Sequence, residues 1–239
     1  MPVVVYGIVE PGTKLPRDVH GIDGGRPRRV DCGSVAALVG NLERDDLAAR
    51  RRDLRAHMDV LAAALERSTV APMQFGVLMA DDDDVEAALL RPLEDRLREL
   101  LDRFENLVEL RLSVRYDEQA LLSEIVSTDP RVRRLRGVAG AELALGELVS
   151  AAYERTRARD AGELLDRLET LIVDEARAEG RQWDLLTASF LVRRAHVPAI
   201  EDAVERWAES QAGRATAELA GPMPPYSFVE LEAPEAAWA

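Results

Sequence analysis

Three histidines, a run of four aspartates, a glycine cluster and one cysteine are the residues whose chemistry could reach beyond packing. His20, His57 and His196 lie far apart in the chain. None sits at metal-ligand spacing from a second histidine or a motif carboxylate, as HExxH requires on one helix face. His57 falls three residues after Leu54 and four before Leu61, beside an apolar stripe, and reads as a helix-edge residue. His196 precedes Pro198 and reads as a helix-end residue. The aspartates at 81–84 are the most suggestive cluster, because hard cations take several carboxylate oxygens. A calcium loop, however, alternates its ligands about a central glycine. Here the four acids lead straight into an amphipathic pattern, where their charge suits the positive end of a helix. They read as a helix start.

Gly21-Ile22-Asp23-Gly24-Gly25 lacks the strand–GxGxxG–helix context of a dinucleotide site, and Lys14 stands in no GxxxxGK loop. Ser34 and Ser189 occupy no nucleophile elbow. Cys32 is the single cysteine, which excludes an intramolecular disulfide and a thiolate cluster and suits a reducing compartment. From this inventory no catalytic residue, no metal and no nucleotide or flavin cofactor is expected.

The elements that would carry these residues read as two α+β domains. Residues 3–9 (VVVYGIV) are β-branched and aromatic and end at Pro11-Gly12, a buried strand closed by a turn. Runs at 28–32 and 34–42 complete a three-stranded antiparallel start. From Asp45 the period lengthens, and Leu47, Leu54, Met58, Leu61 and Leu65 form a helical stripe that Asp45 or Asp46 would cap. Residues 70–79 suggest a strand with Pro72 at an edge, since proline gives no N–H to a ladder. A helix follows the aspartates, kinked or restarted at Pro92. The second half offers a strand at 108–116, a short helix at 118–126 broken by Asp129-Pro130, and a long helical pair or bent helix reaching Ile172. A strand at 185–192, a helix from Val197 and a strand at 215–219 then make a βαβ unit. The expected architecture is an N-terminal α+β domain over 1–105 and a modified ferredoxin-like domain with a helical insertion over 106–231, followed by an acidic tail over 232–239.

The bulk numbers narrow the function. The net charge is −13 with a sequence pI near 4.8, a field that repels phosphate backbones and anionic lipid, so neither nucleic acid nor a lipid membrane is expected as partner. No signal-peptide pattern opens the chain. No uncharged run approaches the ~20 residues a bilayer span needs, so a cytoplasmic location is expected. All but Lys14 of the 31 basic residues are Arg, a composition that a GC-rich genome produces.

Three segments carry a resemblance. Val5-Tyr6-Gly7-Ile8-Val9, Val70-Ala71-Pro72-Met73-Gln74-Phe75-Gly76 and Gly221-Pro222-Met223-Pro224-Pro225-Tyr226-Ser227-Phe228-Val229 resemble the gas vesicle F/L protein family in kind, order and spacing. Met73-Gln74 departs from the Leu-Arg of that pattern. The resemblance implies a non-enzymatic accessory or minor structural protein of gas vesicles. Its partners would be the hydrophobic shell protein and other gas vesicle accessory proteins, and it would associate with the shell. Phe75, Pro224, Pro225, Tyr226 and Phe228 are the candidate partner-binding residues. The rival reading for the 224–228 segment is a rigid turn packed into the second domain, and the rival function is a small-molecule-binding regulator with a ferredoxin-like domain.

Overall fold

The structure, a computed structural model, describes residues 1–44, 47–211 and 213–230. The expected helix cap at Asp45 or Asp46 and the acidic tail lie outside the described residues. By its contacts the chain divides into two compact units, one holding Met1–Glu109 with the segment from Pro222 onward, the other Leu110–Gly221. The described residues from 222 to 230 thus group with the first unit.

In the first unit β1 (Val3–Val9) is buried at every position, so both faces of the strand are covered and its apolar run does not alternate. The hairpin β2 (Arg28–Cys32) and β3 (Val35–Asn41) lies on one side of it. After α1 (Arg51–Leu65), β4 (Val70–Pro72) and β5 (Leu78–Met79) both pair with the other side of β1. The sheet order is β2-β3-β1-β4, with β5 also on β1. The register between β1 and β3 slips between Val5 and Gly7, which makes Tyr6 the extra residue of a bulge. Pro72 ends β4 at the sheet edge, where its missing donor costs no ladder bond.

Asp81 caps the next helix through its side chain, which accepts from the Asp84 amide at 3.0 Å. Helix α2 (Asp82–Asp84) passes into a wide π turn over Val85–Leu90 and then α3 (Arg91–Arg103), which carries Pro92 in its first turn. The Arg91 amide reaches back five residues to the Glu86 carbonyl. The wide turn is how the chain accommodates the absent N–H and the bulk of Pro92 without breaking the helix.

The second unit begins on β6 (Leu107–Tyr116) and continues through α4 (Glu118–Thr128), α5 (Pro130–Leu135) and the 27-residue α6 (Glu142–Leu168). Then come β7 (Ile172–Arg177), β8 (Asp184–Arg193), α7 (Val197–Ser210) and β9 (Ala215–Met223). The sheet order is β7-β8-β6-β9, with β7 antiparallel to β8. Helix α6 is continuous, and the expected extension of helix through Ile172 is instead a 3₁₀ turn and an edge strand. Leu164, Leu168, Ile200, Val204 and Trp207 are buried from α6 and α7.

Candidate functional site

The irregular chain between β4 and β5, residues 73–77, forms an arch over the bulge in β1. The Met73 amide donates to the Tyr6 carbonyl at 2.9 Å and the Val5 amide donates to the Val77 carbonyl at 3.0 Å, so both feet of the arch stand on one strand. Helix α1 completes the clasp. Its buried face consists of Asp53, His57, Val60, Leu61, Ala64 and Leu65, which corrects the stripe expected from apolar residues alone. Leu61 and Leu65 are inside, but Leu54 and Met58 are 38% and 52% exposed. The helix is turned because two polar residues have partners inside.

His57 is accordingly a core residue, 2% exposed, rather than a helix-edge one. Its Nε2 lies 3.2 Å from the Met73 carbonyl, so that nitrogen carries the proton and donates. Its ring lies 5.4 Å from the Tyr6 ring and 5.7 Å, edge-on, from the Phe75 ring. The buried Nδ1 meets no hydrogen-bond partner among the described residues. Burial therefore pushes the His57 pKa down, against a smaller upward effect of the Met73 bond, and favours the neutral ring. Tyr6 is fully buried, its oxygen accepts from the Ile22 amide at 2.9 Å, and burial pushes its hydroxyl up to about 12. Glycine is required around that oxygen: a Cβ at Gly21 or Gly40 would stand 2.1 or 2.5 Å from it.

Asp53, one turn before His57, is 3% exposed and forms an ion pair with Arg44 at 2.8 Å, while the same guanidinium pairs with Asp23 at 3.1 Å. These groups line an open cavity of about 560 Å³ with Gly21, Glu43 and Arg52. The aspartates at 81–84 are used within the fold: besides the Asp81 cap, Asp82 pairs with Arg28, and Asp84 accepts from the Ala80 amide at 3.1 Å. Among the described residues, no group of three or more His, Cys, Asp or Glu side chains is placed to hold a metal ion.

The C-terminal candidates sit in and beside a 3₁₀ turn, Tyr226–Phe228. Pro224, Pro225 and Phe228 are buried, and Tyr226 is half-buried. The anchor is Glu109, 2% exposed, a residue that sequence reasoning passed over. Its two oxygens accept from the Ser227 amide and the Ser227 hydroxyl, each at 2.8 Å. Burial first, and the Glu109 charge second, push the Tyr226 hydroxyl well above its ordinary range. Downstream, Arg96 donates to the Glu230 carbonyl at 2.7 Å. All of these residues belong to the first unit. Of the five candidate binding residues, Phe75 and Tyr226 alone retain half-open side chains. The one available signal for Glu109 was a carboxylate at an otherwise apolar position of a strand pattern.

A second buried polar cluster lies in the other unit. Asp160, 3% exposed in the middle of α6, accepts from the Tyr116 hydroxyl at 2.6 Å and from Arg214 at 2.7 Å. Arg214 also pairs with Glu124 on α4 and lies over the Tyr116 ring, 5.3 Å from its centroid. The Tyr116 hydroxyl is pushed up by burial and by the Asp160 carboxylate that holds its proton. His196 is tied down locally, its Nδ1 3.3 Å from the Leu171 carbonyl, and His20 is exposed.

Residues 2–230 match the profile of the family described as gas vesicle synthesis protein GvpL/GvpF. The chain is 35% identical over 242 residues to gas vesicle protein F of Streptomyces sp. (strain CB03234), covering 96% of this chain and all of that protein. It is 27% identical over 257 residues to gas vesicle protein L of the same strain, covering 95% and 92%. The fold is similar to the crystal structure of gas vesicle protein GvpF from Anabaena sp. PCC7120, with a TM-score of 0.85 at 19% identity over 96% of this chain and 98% of that one. It is likewise similar to GvpF from Microcystis aeruginosa, with a TM-score of 0.81 at 20% identity over 96% and 99%. A profile match over nearly the whole length, joined to a full-length relative at this identity, makes the chain a member of the gas vesicle synthesis protein GvpL/GvpF family.

Proposed function

We propose that this protein serves gas vesicle formation as a non-enzymatic accessory or minor structural protein that holds the hydrophobic shell subunit, working in the cytoplasm and at the shell. The observation that carries the reading is the family match across residues 2–230. The higher identity to gas vesicle protein F than to protein L of one strain favours an F-like role. A shell subunit with an apolar face aggregates unless that face is covered before it joins the wall. A holder must then combine exposed apolar side chains with enough charge to stay dispersed, and this chain has both: −13 overall, with Leu54 and Met58 exposed one turn apart on α1. Among the described residues, no helix is long and apolar enough to cross a membrane.

On this reading the apolar contact is made by Leu54 and Met58 together with the half-open Phe75 and Tyr226, while Pro224, Pro225 and Phe228 shape the support behind Tyr226. Each compact unit is read as a domain. The order β7-β8-β6-β9 around two crossovers, one holding α4–α6 and one α7, fits a ferredoxin-like domain with a helical insertion. The test is deletion of the gene in a vesicle-forming host, alongside retention of solubilised shell protein at low and high salt. Loss of vesicles with salt-resistant retention supports the role, since buried apolar contact outlasts screening. Normal vesicles and no retention would sink it.

A further inference from the structure

Helix α5 is one of a few basic stretches in this acidic molecule. Between 130 and 136 stand Arg131, Arg133, Arg134 and Arg136 with no acid among them, all exposed. Arg131 is held by Asp129 at 3.2 Å, which also takes Arg155 at 3.1 Å. Arg133, Arg134 and Arg136 make no ion pair among the described residues. Residues 129–160 as a whole hold seven Arg against five Asp and Glu, in a chain that nets −13. The turn that follows exposes apolar side chains: Val138 is 49% exposed and Leu143 78%. The platform is firm, because Val132 and Ile125 are buried beneath it and α4, α5 and α6 pack on one another.

We infer that α5 and the turn to Leu143 form a docking surface for a short acidic segment of a partner protein. Its carboxylates meet Arg133, Arg134 and Arg136, and an apolar side chain lies on Val138 and Leu143. The choice of occupant follows from range. At physiological salt charges act over about 8 Å, so a short segment feels the local positive patch. An extended polyanion or an anionic bilayer, by contrast, must also approach the acidic remainder. Arginine suits the task because its planar fork grips carboxylates in pairs and its weak hydration lowers the cost of burial. This surface is separate from the apolar one that Proposed function assigns to the shell subunit.

The experiment uses the full chain and a fluorescein-labelled peptide of repeating Glu-Glu-Leu, followed by anisotropy. Arg133→Glu, Arg134→Glu and Arg136→Glu together should weaken binding by about tenfold or more, and Leu143→Ser by a few-fold. The same charge change at the start of α1, as Arg50→Glu at its N-cap with Arg51→Glu and Arg55→Glu, should alter it by less than about twofold. These side chains are exposed, and unchanged circular-dichroism melting would certify each variant's fold. Equal weakening by both triple variants would reduce the effect to net charge and overturn the proposal. Tighter binding of a single-stranded RNA oligomer or of phosphatidylserine vesicles would overturn it too. So would a wild-type dimer that the α5 variant converts to monomer, which would assign the face to a second copy. Retention of shell protein by the α5 variant should be unchanged, so loss of peptide binding and loss of the shell contact remain separately readable.

Discussion

Replacing His57 with Phe should abolish one component of the protein's acid sensitivity while leaving its stability near neutral pH almost unchanged. The buried imidazole makes one hydrogen bond, from Nε2 to the Met73 carbonyl, and offers its buried Nδ1 to nothing among the described residues. Protonating Nδ1 would place a charge between the Tyr6 and Phe75 rings. The groups facing it are Tyr6 from β1, neutral at all relevant pH because its hydroxyl is pushed up to about 12, and Asp53 on its own helix, already paired with Arg44. Asp23, in the 3₁₀ turn Ile22–Gly24 that packs on α1, is likewise held by Arg44. The folded state therefore binds the proton more weakly than the unfolded chain does. The contribution of neutral His57 is complete above the unfolded value of about 6.5 and is lost as pH falls from there toward the depressed folded value.

The loss is bounded by about 1.4 kcal/mol for each pH unit between those two values. Phe keeps both ring contacts and removes the orphan nitrogen. It forfeits one hydrogen bond worth about 0.5–1.5 kcal/mol net, an amount that the lifted desolvation of Nδ1 partly offsets. Urea denaturation of the wild type and His57→Phe from about pH 7.5 to about 5 measures both terms. The wild type should lose stability relative to His57→Phe as pH falls, because only the wild type carries the His57 titration while the carboxylate titrations are common to both proteins and cancel. Parallel curves would refute the assignment of a depressed His57 pKa, and a loss above about 3 kcal/mol at pH 7.5 would mean that the Met73 bond matters more than the geometry implies.

Glu109→Ala should release the turn at 226–228, seen as faster chymotryptic cleavage after Tyr226 and Phe228 by mass spectrometry, because both Glu109 oxygens hold Ser227; Ser227→Ala should give a smaller effect in the same direction. Asp160→Ala should cost about 3–5 kcal/mol in denaturant unfolding, since it strands the Tyr116 hydroxyl and removes one of two carboxylates from Arg214, whereas Asp160→Asn should cost less by keeping an acceptor. Gly40→Ala should destabilise by about 1–3 kcal/mol, because its methyl would lie 2.5 Å from a Tyr6 hydroxyl fixed in the core, and Tyr6→Phe in the same background should recover part of that loss.

The strands and helices that bury an apolar face were legible, and those that do not were not. Residues of β1, β3 and β8 are apolar enough to identify, and the break at Asp129-Pro130 does separate α4 from α5. Strand β7 escaped notice because it is an edge strand of mixed burial whose sequence, IVDEAR, has no clean alternation; its bulge places Val173 at the surface, 51% exposed. The face of α1 was misjudged because period counting scores only apolar residues, and this helix buries an aspartate and a histidine in place of two of them. Asp160 was hidden for the same reason. A buried charge looks like a solvated one in sequence, since, beside its neighbour Arg159, its partners, Tyr116 and Arg214, stand 44 and 54 residues away.

Two of the buried polar side chains, His57 and Glu109, share a task that accounts for which parts of the sequence are recognisable. A regular strand or helix satisfies its own backbone, so its position can be set by apolar contact alone, and many sequences meet that requirement. An irregular segment leaves carbonyls and amides unpaired and needs a particular side chain to meet them. His57 does so for the arch at 73–77 and Glu109 for the turn at 226–228, with Tyr6 standing in the bulge beneath the arch. The three segments that carry the family resemblance are the strand holding Tyr6, the stretch leading into the arch, and the turn held by Glu109. Their residue types are constrained by specific hydrogen bonds and close approaches more than by hydrophobicity, whereas the helices around them are constrained mostly by pattern, at all but a few positions such as His57. A segment held in this way presents its remaining half-open side chains, Phe75 and Tyr226, in one fixed orientation, and a surface meant to recognise a partner needs that fixity because each side chain ordered only on binding costs about 0.5–1.5 kcal/mol of affinity.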